Sequence, residues 1–320
     1  MRVLVTGAAG FIGFHTCMAL LERGDEVVGF DAFTPYYDPA LKERRFAQLE
    51  GRRGFRGLRG GLLDPAALRA AFEALGAGPG TRVCHLAAQA GVRHSILHPE
   101  EFLQDNVVGF GRIIEHCKER SVEGLIYAST SSVYGDNADP VLAETSNTDH
   151  QVSLYGMTKK ANELQASVYQ RLFGVHSTGL RFFTVYGPWG RPDMALFLFT
   201  DAVLRGHPMR IFGFGKMRRD FTYVADIVSG ITAALDRNYP FEIINLGAGR
   251  SEELMDFVRT IEETCGKTGE KELLPMQQGD VVQTAADISR ARRLLDYDPK
   301  TMIPDGVPRF VQWYREYHGI

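Results

Sequence analysis

The chain has 320 residues, and its 36 Lys and Arg nearly balance 39 Asp and Glu, which leaves a formal charge of −3. This balance excludes the concentrated basic surface that is typical of nucleic-acid binders, and no apolar run approaches the about 20 residues that a transmembrane helix needs. The 34 glycines are the one excess, above a usual frequency of about 7%.

Cysteine usage and the first residues indicate where the protein resides. The four cysteines are widely spaced and form no Cys-x-x-Cys pair, which favours a reduced compartment and no structural zinc. The chain reaches Gly7 before any signal-peptide core could form. His94 and His98 form one local pair in a segment expected to be a loop, where packing is favoured over a metal role. We therefore expect a cytoplasmic protein with no bound metal and with neither a nucleic-acid nor a membrane partner.

The first half alternates short apolar runs with helical patterns, which is typical of βαβ units on a parallel sheet. Its strands are nearly continuous apolar runs, as expected when helices cover both faces of the sheet. The predicted strands are 2–6, 26–30, 82–86, 123–128 and 176–182. The predicted helices are 11–23, 39–49, 65–75, 101–120 and 152–173.

After residue 187 the loops lengthen, and helices are separated by short strands. The predicted helices are 195–205, 224–236, 251–265 and 307–317, and a strand at 243–247 is expected to return to the sheet. The pattern predicts an α/β chain with a Rossmann-type doubly wound parallel sheet and a smaller C-terminal α/β portion that covers a cleft. The first unit would be 1–187, with a returning segment near 224–247, and the second mainly 188–320.

A glycine cluster between the first strand and the first helix predicts a dinucleotide site. Its spacing is Gly7-x-x-Gly10-x-x-Gly13, which lets a pyrophosphate approach the backbone at a helix N-terminus. Asp31 closes the second strand 18 residues after Gly13, where a carboxylate can accept hydrogen bonds from the adenosine ribose hydroxyls. Because a 2′-phosphate would face this carboxylate, the pattern favours NAD over NADP.

A second motif carries acid–base chemistry. Tyr155 and Lys159 are four residues apart on a predicted helix and therefore share one face. A nearby ammonium would lower the pKa of the phenol, so that the phenolate could take a proton from a substrate hydroxyl. Such a pair also occurs on ordinary surface helices. The hydroxyl-rich end of the strand at 123–128, which includes Thr130, favours the catalytic interpretation, since open α/β sheets bind ligands at that edge.

With these motifs in this order, the chain resembles the extended short-chain dehydrogenase/reductase family over nearly its whole length. The resemblance implies that Tyr155, Lys159 and Thr130 are catalytic, that 1–187 binds NAD, and that 188–320 mainly binds a UDP-sugar. The cofactor contacts that it implies are Gly7, Gly10, Phe11, Ile12, Gly13, Asp31, Leu86, Ala87, Ala88, Gln89, Asn106, Lys159 and Tyr186.

Within the family, four stretches are similar to UDP-glucuronate 4-epimerases, namely 36–42, 88–93, 180–194 and 215–224. This similarity implies epimerisation at C4 through a 4-keto sugar, and a homodimer in which the helices 101–120 and 152–173 pair with their copies. The substrate contacts that we expect are Ser131, Ser132, Thr184, Arg191, Met194, Arg219 and Asp280.

Among these contacts, Arg191 is the candidate clamp for the sugar carboxylate, because a guanidinium can bind it with two donors. Thr184 and Ser132 are its expected hydroxyl partners, and the alternative is a surface arginine beside Pro192. The resemblance implies that Arg219 binds phosphate and that Asp280 binds ribose.

Two departures from the family bear on the reaction and on the cofactor. Related sugar dehydratases carry Asp-Glu, and decarboxylases carry Glu, where this chain has Ser131 and Ser132, which favours simple epimerisation. Gly61 stands where many relatives have an Asp that contacts the adenine amine, so that one hydrogen bond to NAD would be missing. An epimerase of another UDP-sugar, a UDP-glucuronate decarboxylase and a non-catalytic NAD-binding protein remain alternatives.

Overall fold

A seven-stranded parallel sheet forms the centre of the molecule in a computed structural model that describes residues 1–320. The strands β1 to β13 span, in order, Arg2–Thr6, Glu26–Asp31, Phe55–Arg59, Thr81–His85, Gly124–Thr130, Ser177–Phe182, Thr184–Tyr186, Met209–Ile211, Arg218–Arg219, Phe221–Tyr223, Phe241–Leu246, Glu252–Glu253 and Lys271–Leu273. The helices α1 to α12 span, in order, Phe11–Glu22, Pro39–Glu50, Pro65–Leu75, Val92–Leu97, Pro99–Phe102, Gly109–Glu119, Leu154–Phe173, Ala195–Arg205, Val224–Arg237, Leu254–Cys265, Ser289–Leu295 and Ile303–His318.

The order of the sheet is β11-β6-β5-β4-β1-β2-β3. The strands are buried on both faces because successive side chains point to opposite sides. In β1, Val3 and Val5 lie in one apolar core of 54 buried residues, and Leu4 lies in a second core of 18 on the other face. The predicted fold class is confirmed by this Rossmann-type sheet.

The C-terminal half contributes to the sheet as well as covering it. Strand β11 pairs in parallel with β6 at the edge of the sheet, and α9 packs against α1. Three two-stranded sheets, β7 with β10, β8 with β13 and β9 with β12, complete this half. The division into two units at residue 187 stays a prediction. None of the helices is long and apolar enough to cross a bilayer.

The long helix expected at 101–120 is interrupted. It consists of α5, a π-helical turn at Leu103–Val108 and α6. At Asn106 the side chain donates to Gln89 O at 3.0 Å, and the backbone carbonyl accepts from Asn162 Nδ2 at 2.7 Å. The side chain of Asn162 thus supplies a hydrogen bond to a backbone carbonyl within the π turn.

Other differences from the prediction have simple causes. The pair His94 and His98 was expected in a loop, but His94 lies in α4 and His98 follows its last residue. The edge strand β3 was not predicted, because it is only half-buried and its sequence, Phe-Arg-Gly-Leu-Arg, has no continuous apolar run. The helix α11 was also not predicted.

Candidate active site

The glycine loop after β1 leaves room for a phosphate group. Gly7 has a positive φ of 74°, and a Cβ on Gly13 would lie 2.0 Å from Gly7 O, so only glycine fits either position. Gly10 is the N-cap of α1 and has no side chain that could accept a hydrogen bond. The first N–H groups of the helix, at Phe11 and Ile12, are therefore not capped by it. The cradle therefore fits a dinucleotide pyrophosphate.

Asp31 lies at the end of β2 beside this loop, as expected. Its Oδ2 accepts from Ala9 N at 3.0 Å, and its Oδ1 accepts from Phe33 N at 2.8 Å. Each carboxylate oxygen keeps a free lone pair, so the side chain can hold the loop and accept ribose hydroxyls at the same time.

The segment Leu86–Gln89 follows β4 on the same edge of the sheet, and Asn106 holds it there. Gln89 N donates to Asn106 Oδ1 at 2.8 Å, and Asn106 Nδ2 also donates to Thr158 Oγ1 at 3.0 Å. Asn106 thus joins the predicted cofactor segment to the helix α7. Tyr186 lines a cavity with Phe11, but its hydroxyl donates to Met302 O at 3.2 Å. The hydroxyl of Tyr186 is therefore already bound to the backbone of the C-terminal segment.

The helix α7 brings the acid–base residues to the end of β5. It begins after Ser153, whose hydroxyl accepts from Gly156 N at 3.0 Å, as an N-cap does. A Cβ on Gly156 would lie 2.6 Å from Ser132 O, so glycine allows the helix to approach the turn at Ser131–Tyr134. As a result, the Thr130 hydroxyl, which donates to Ser132 Oγ at 3.3 Å, lies close enough to Tyr155 to influence the pKa of its phenol.

The pKa values in this group differ from the simple expectation. Burial raises the pKa of Tyr155, while the nearby Thr130 hydroxyl and the charge of Arg191 act to lower it. Lys159 Nζ donates to Ala128 O at 3.0 Å, and burial lowers the pKa of this ammonium to about 8. Thr130 and Arg191 therefore oppose the effect of burial without cancelling it, and the pKa of Tyr155 stays above its usual value.

Arg191 lies in the loop between β7 and α8 and lines a cavity together with Thr184 and Met194. Its side chain is only 20% exposed, so it is not a surface arginine. Arg191 Nε and Nη2 donate to the two oxygens of Asp193 at 3.0 and 2.5 Å, and Nη2 also donates to Ala90 O at 3.2 Å. The two-donor edge of the guanidinium that we expected to bind the substrate thus already binds the carboxylate of Asp193.

Two further predicted substrate residues, Arg219 and Asp280, lie close to each other. Asp280 accepts from Arg93 Nη2 at 3.1 Å, and the Arg93 guanidinium lies 4.8 Å from the ring centre of Phe212. Arg219 Nη1 donates to Val282 O at 3.1 Å. Burial lowers the pKa of Arg219, and Asp280 opposes that shift. Asp280 and Arg219 therefore lie together, with Arg93 as an additional cation that the prediction omitted although it ends the stretch 88–93.

A buried ion pair that the sequence did not reveal fixes the catalytic helix. Glu163 of α7 accepts from Arg181 Nε and Nη2 of β6, both at 2.8 Å, and from Ser129 Oγ of β5 at 2.7 Å. The two charged side chains are 5% and 4% exposed. This network holds α7 against the strand end that carries Thr130.

Comparison with known proteins agrees with this geometry. The model of the NAD dependent epimerase/dehydratase family matches residues 3–247. A probable UDP-glucuronate 4-epimerase of Rhizobium meliloti (strain 1021) is 45% identical over 333 residues, 98% of this chain and 97% of the relative. UDP-glucuronate 4-epimerase 4 of Arabidopsis thaliana is 44% identical and covers 100% of this chain, with 76% of its own length matched. The structure of UDP-glucuronic acid 4-epimerase from Bacillus cereus in complex with UDP-glucuronic acid and NAD is 35% identical, covers 99% of this chain and 100% of that chain, and has a TM-score of 0.92.

Proposed function

The chain belongs to the NAD-dependent epimerase/dehydratase family, and we propose that it interconverts UDP-glucuronate and UDP-galacturonate by NAD-dependent epimerisation at C4. The observation that carries this function is the placement of Tyr155, Thr130 and Lys159 at the end of β5, on the same edge of the parallel sheet as the glycine cradle, with Arg191 close enough to influence Tyr155. The relatives named UDP-glucuronate 4-epimerase support the same activity.

The acid–base steps follow from the side chains. Bound NAD supplies the hydride acceptor for C4 and, in the second half of the cycle, the hydride donor. Tyr155 as phenolate takes the O4 proton, and the neighbouring Thr130 hydroxyl relays the proton and orients O4. Lys159 would hold the nicotinamide ribose and supply positive charge to the site, which its pKa of about 8 leaves largely present at neutral pH.

The substrate pocket determines the fate of the 4-keto sugar. The turn after β5 carries the hydroxyls of Ser131 and Ser132 and no carboxylate that could eliminate water. A 4-keto glucuronate is a β-keto acid and loses CO2 when the breaking bond aligns with the ketone π system. Arg191, with Thr184 and Ser132, would hold the carboxylate out of that alignment while the sugar turns over. Arg219 and Asp280 would keep the UDP part in place.

The decisive experiment is incubation of the protein and NAD with UDP-glucuronate, followed by chromatography of the nucleotide sugars. We expect UDP-galacturonate as the main product, and Tyr155→Phe should slow its formation about a hundredfold or more, as loss of a general base does. UDP-pentose as the main product would instead identify a decarboxylase. Faster turnover of UDP-glucose would identify an epimerase of neutral sugars, and no turnover despite NAD binding would indicate a binding protein.

We also infer a homodimer through α7. Leu164, Val168 and Leu172 recur every four residues on one face of this helix and are 59%, 49% and 67% exposed. A second copy that presents the same face would bury this stripe in a two-fold interface. Light scattering after gel filtration should give twice the chain mass, and Leu172→Glu should give the monomer, whereas Val141→Glu, at another exposed valine, should not.

We also propose a cytoplasmic location. All four cysteines are buried and unpaired, which suits a reducing compartment.

A further inference from the structure

We propose that Asp193 is a positioning residue that limits how many donors Arg191 can offer to the carboxylate of the sugar. The inference rests on the proposed function, because it concerns the grip on an acidic sugar. With fewer donors bound to it, the carboxylate can dissociate from Arg191 and rebind when the 4-keto sugar turns its other face to the cofactor.

The donor count of Arg191 carries this inference. A guanidinium has five N–H donors, one on Nε and two on each terminal nitrogen. Nε and one Nη2 donor bind the two oxygens of Asp193, and the second Nη2 donor binds Ala90 O. Only the two donors of Nη1 remain. Since a two-nitrogen fork is no longer available, the substrate carboxylate can be held through a single nitrogen.

Tyr36 keeps Asp193 in this arrangement. Its hydroxyl donates to Asp193 Oδ2 at 2.9 Å, and its ring lies 5.4 Å from the Arg191 guanidinium. Tyr36 in turn packs against His94, with ring centres 4.6 Å apart. Asp193 thus has three hydrogen bonds from two partners, although its side chain is 32% exposed.

The charge state supports a permanent counter-ion. Burial acts to raise the pKa of the Asp193 carboxyl, but Arg191 and the Tyr36 hydroxyl outweigh it and hold that pKa below its usual range. Asp193 is therefore ionised at neutral pH, and the pair Arg191–Asp193 carries no net charge. A substrate carboxylate would therefore bind to a neutral ion pair with two free donors, both on Nη1, and not to an isolated cation.

This arrangement addresses a specific difficulty of the reaction. Hydrogen bonds between a guanidinium and a carboxylate are roughly twice as strong as neutral ones, and they are stronger still when paired in a fork. A full fork on an uncompensated Arg191 would hold the sugar in one orientation and slow its rotation. A single-nitrogen contact to a compensated arginine releases the carboxylate more readily, at some loss of affinity.

The test variant is Asp193→Asn, which keeps the size of the side chain and removes its charge. The matched control is Asp201→Asn, because Asp201 also binds an arginine, Arg205 Nε at 2.8 Å, and the hydroxyl of Tyr314, but lies in the second half of α8, outside the loop that carries Arg191. Dissociation constants are measured by calorimetry for UDP-glucuronate and for the uncharged UDP-glucose, together with kcat and KM for epimerisation.

In Asp193→Asn we expect UDP-glucuronate to bind about fivefold to tenfold more tightly, in line with about 1 to 1.4 kcal/mol for added charge-assisted contact, and UDP-glucose to bind as before. The kcat should fall together with KM, because the bound 4-keto sugar rotates more slowly. The steady-state absorbance of the reduced cofactor should rise for the same reason. Tyr36→Phe should shift each quantity in the same direction by less.

Equal changes for both nucleotides, unchanged affinity for UDP-glucuronate, or the same changes in Asp201→Asn would overturn the inference. A purely structural role would lower kcat without tightening the binding of UDP-glucuronate, which also counts against it. Failure of the proposed function is a distinct result, since the unaltered protein would then form no UDP-galacturonate.

Discussion

Gly61→Asp tests whether this chain holds the adenine of NAD with one hydrogen bond fewer than its relatives. Gly61 follows β3 and has no positive φ that an L residue would resist. A Cβ on Gly61 would meet nothing nearer than Leu63 N at 4.0 Å, whereas a Cβ on the neighbouring Gly60 would lie 2.4 Å from Ala67 Cβ. A side chain is therefore tolerated at Gly61 and not at Gly60.

The expected gain is that of one hydrogen bond from the adenine amine to a partly exposed carboxylate, about 1 kcal/mol. This corresponds to a dissociation constant for NAD about fivefold lower. The constant is measured by calorimetry on protein freed of bound nucleotide. Gly61→Ala serves as the control, since it removes the same backbone freedom without adding an acceptor.

The decisive comparison uses the NAD analogue in which hypoxanthine replaces adenine and the amine is lost. We expect Gly61→Asp to leave the affinity for this analogue unchanged or weaker. An equal gain for NAD and the analogue, or an equal gain in Gly61→Ala, would refute the reasoning, because it would show an effect on the chain rather than on the amine.

Three further predictions concern charged groups. Arg191→Ala should reduce kcat/KM for UDP-glucuronate by about tenfold to a hundredfold, and unchanged turnover would remove Arg191 from the site. Glu163→Ala leaves Arg181 buried without its partner and should lower the free energy of unfolding in urea by about 3 to 5 kcal/mol; a loss below about 1 kcal/mol would contradict this. Burial lowers the pKa of Lys159 from 10.5 to about 8, so the unfolded chain binds more protons between these values. The free energy of unfolding should therefore rise with pH in that range, by up to about 3 kcal/mol relative to Lys159→Met, and parallel profiles would refute it.

Local signals explain why much of the fold could be predicted. The helix α3 matches its predicted bounds because Asp64 caps it and Pro65 fixes its first turn. The π turn at Leu103–Val108 was missed because it depends on Asn162, which lies far along the chain and gives no signal in the residues of the turn itself. Local periodicity indicates the element, while a tertiary contact determines its interruption.

The site shows the same division. Tyr155 and Lys159 could be paired from the sequence because a helix places residues four apart on one face. Arg93 and Asp280 are 187 residues apart, and nothing in either segment indicates the other. Arg191 was predicted to be a carboxylate ligand, but Asp193, two residues away, occupies two of its five donors because the loop turns back on itself. The sequence shows which chemistry a side chain offers, but it does not show which other groups of the protein bind the same donors.

Two side chains connect the glycine loop after β1 to the loop that carries Arg191. Arg45 of α2 donates to Ala9 O at 3.0 Å and to Trp189 O at 2.5 Å. His15 of α1 hydrogen-bonds Pro188 O at 2.9 Å through Nε2, and burial lowers its pKa to about 4, so it stays neutral and donates. The loop that carries Arg191 is therefore attached to the glycine cradle and not only to the C-terminal half. Because the same guanidinium contacts both loops, Arg45 fixes the spacing between the glycine cradle and the loop that carries Arg191.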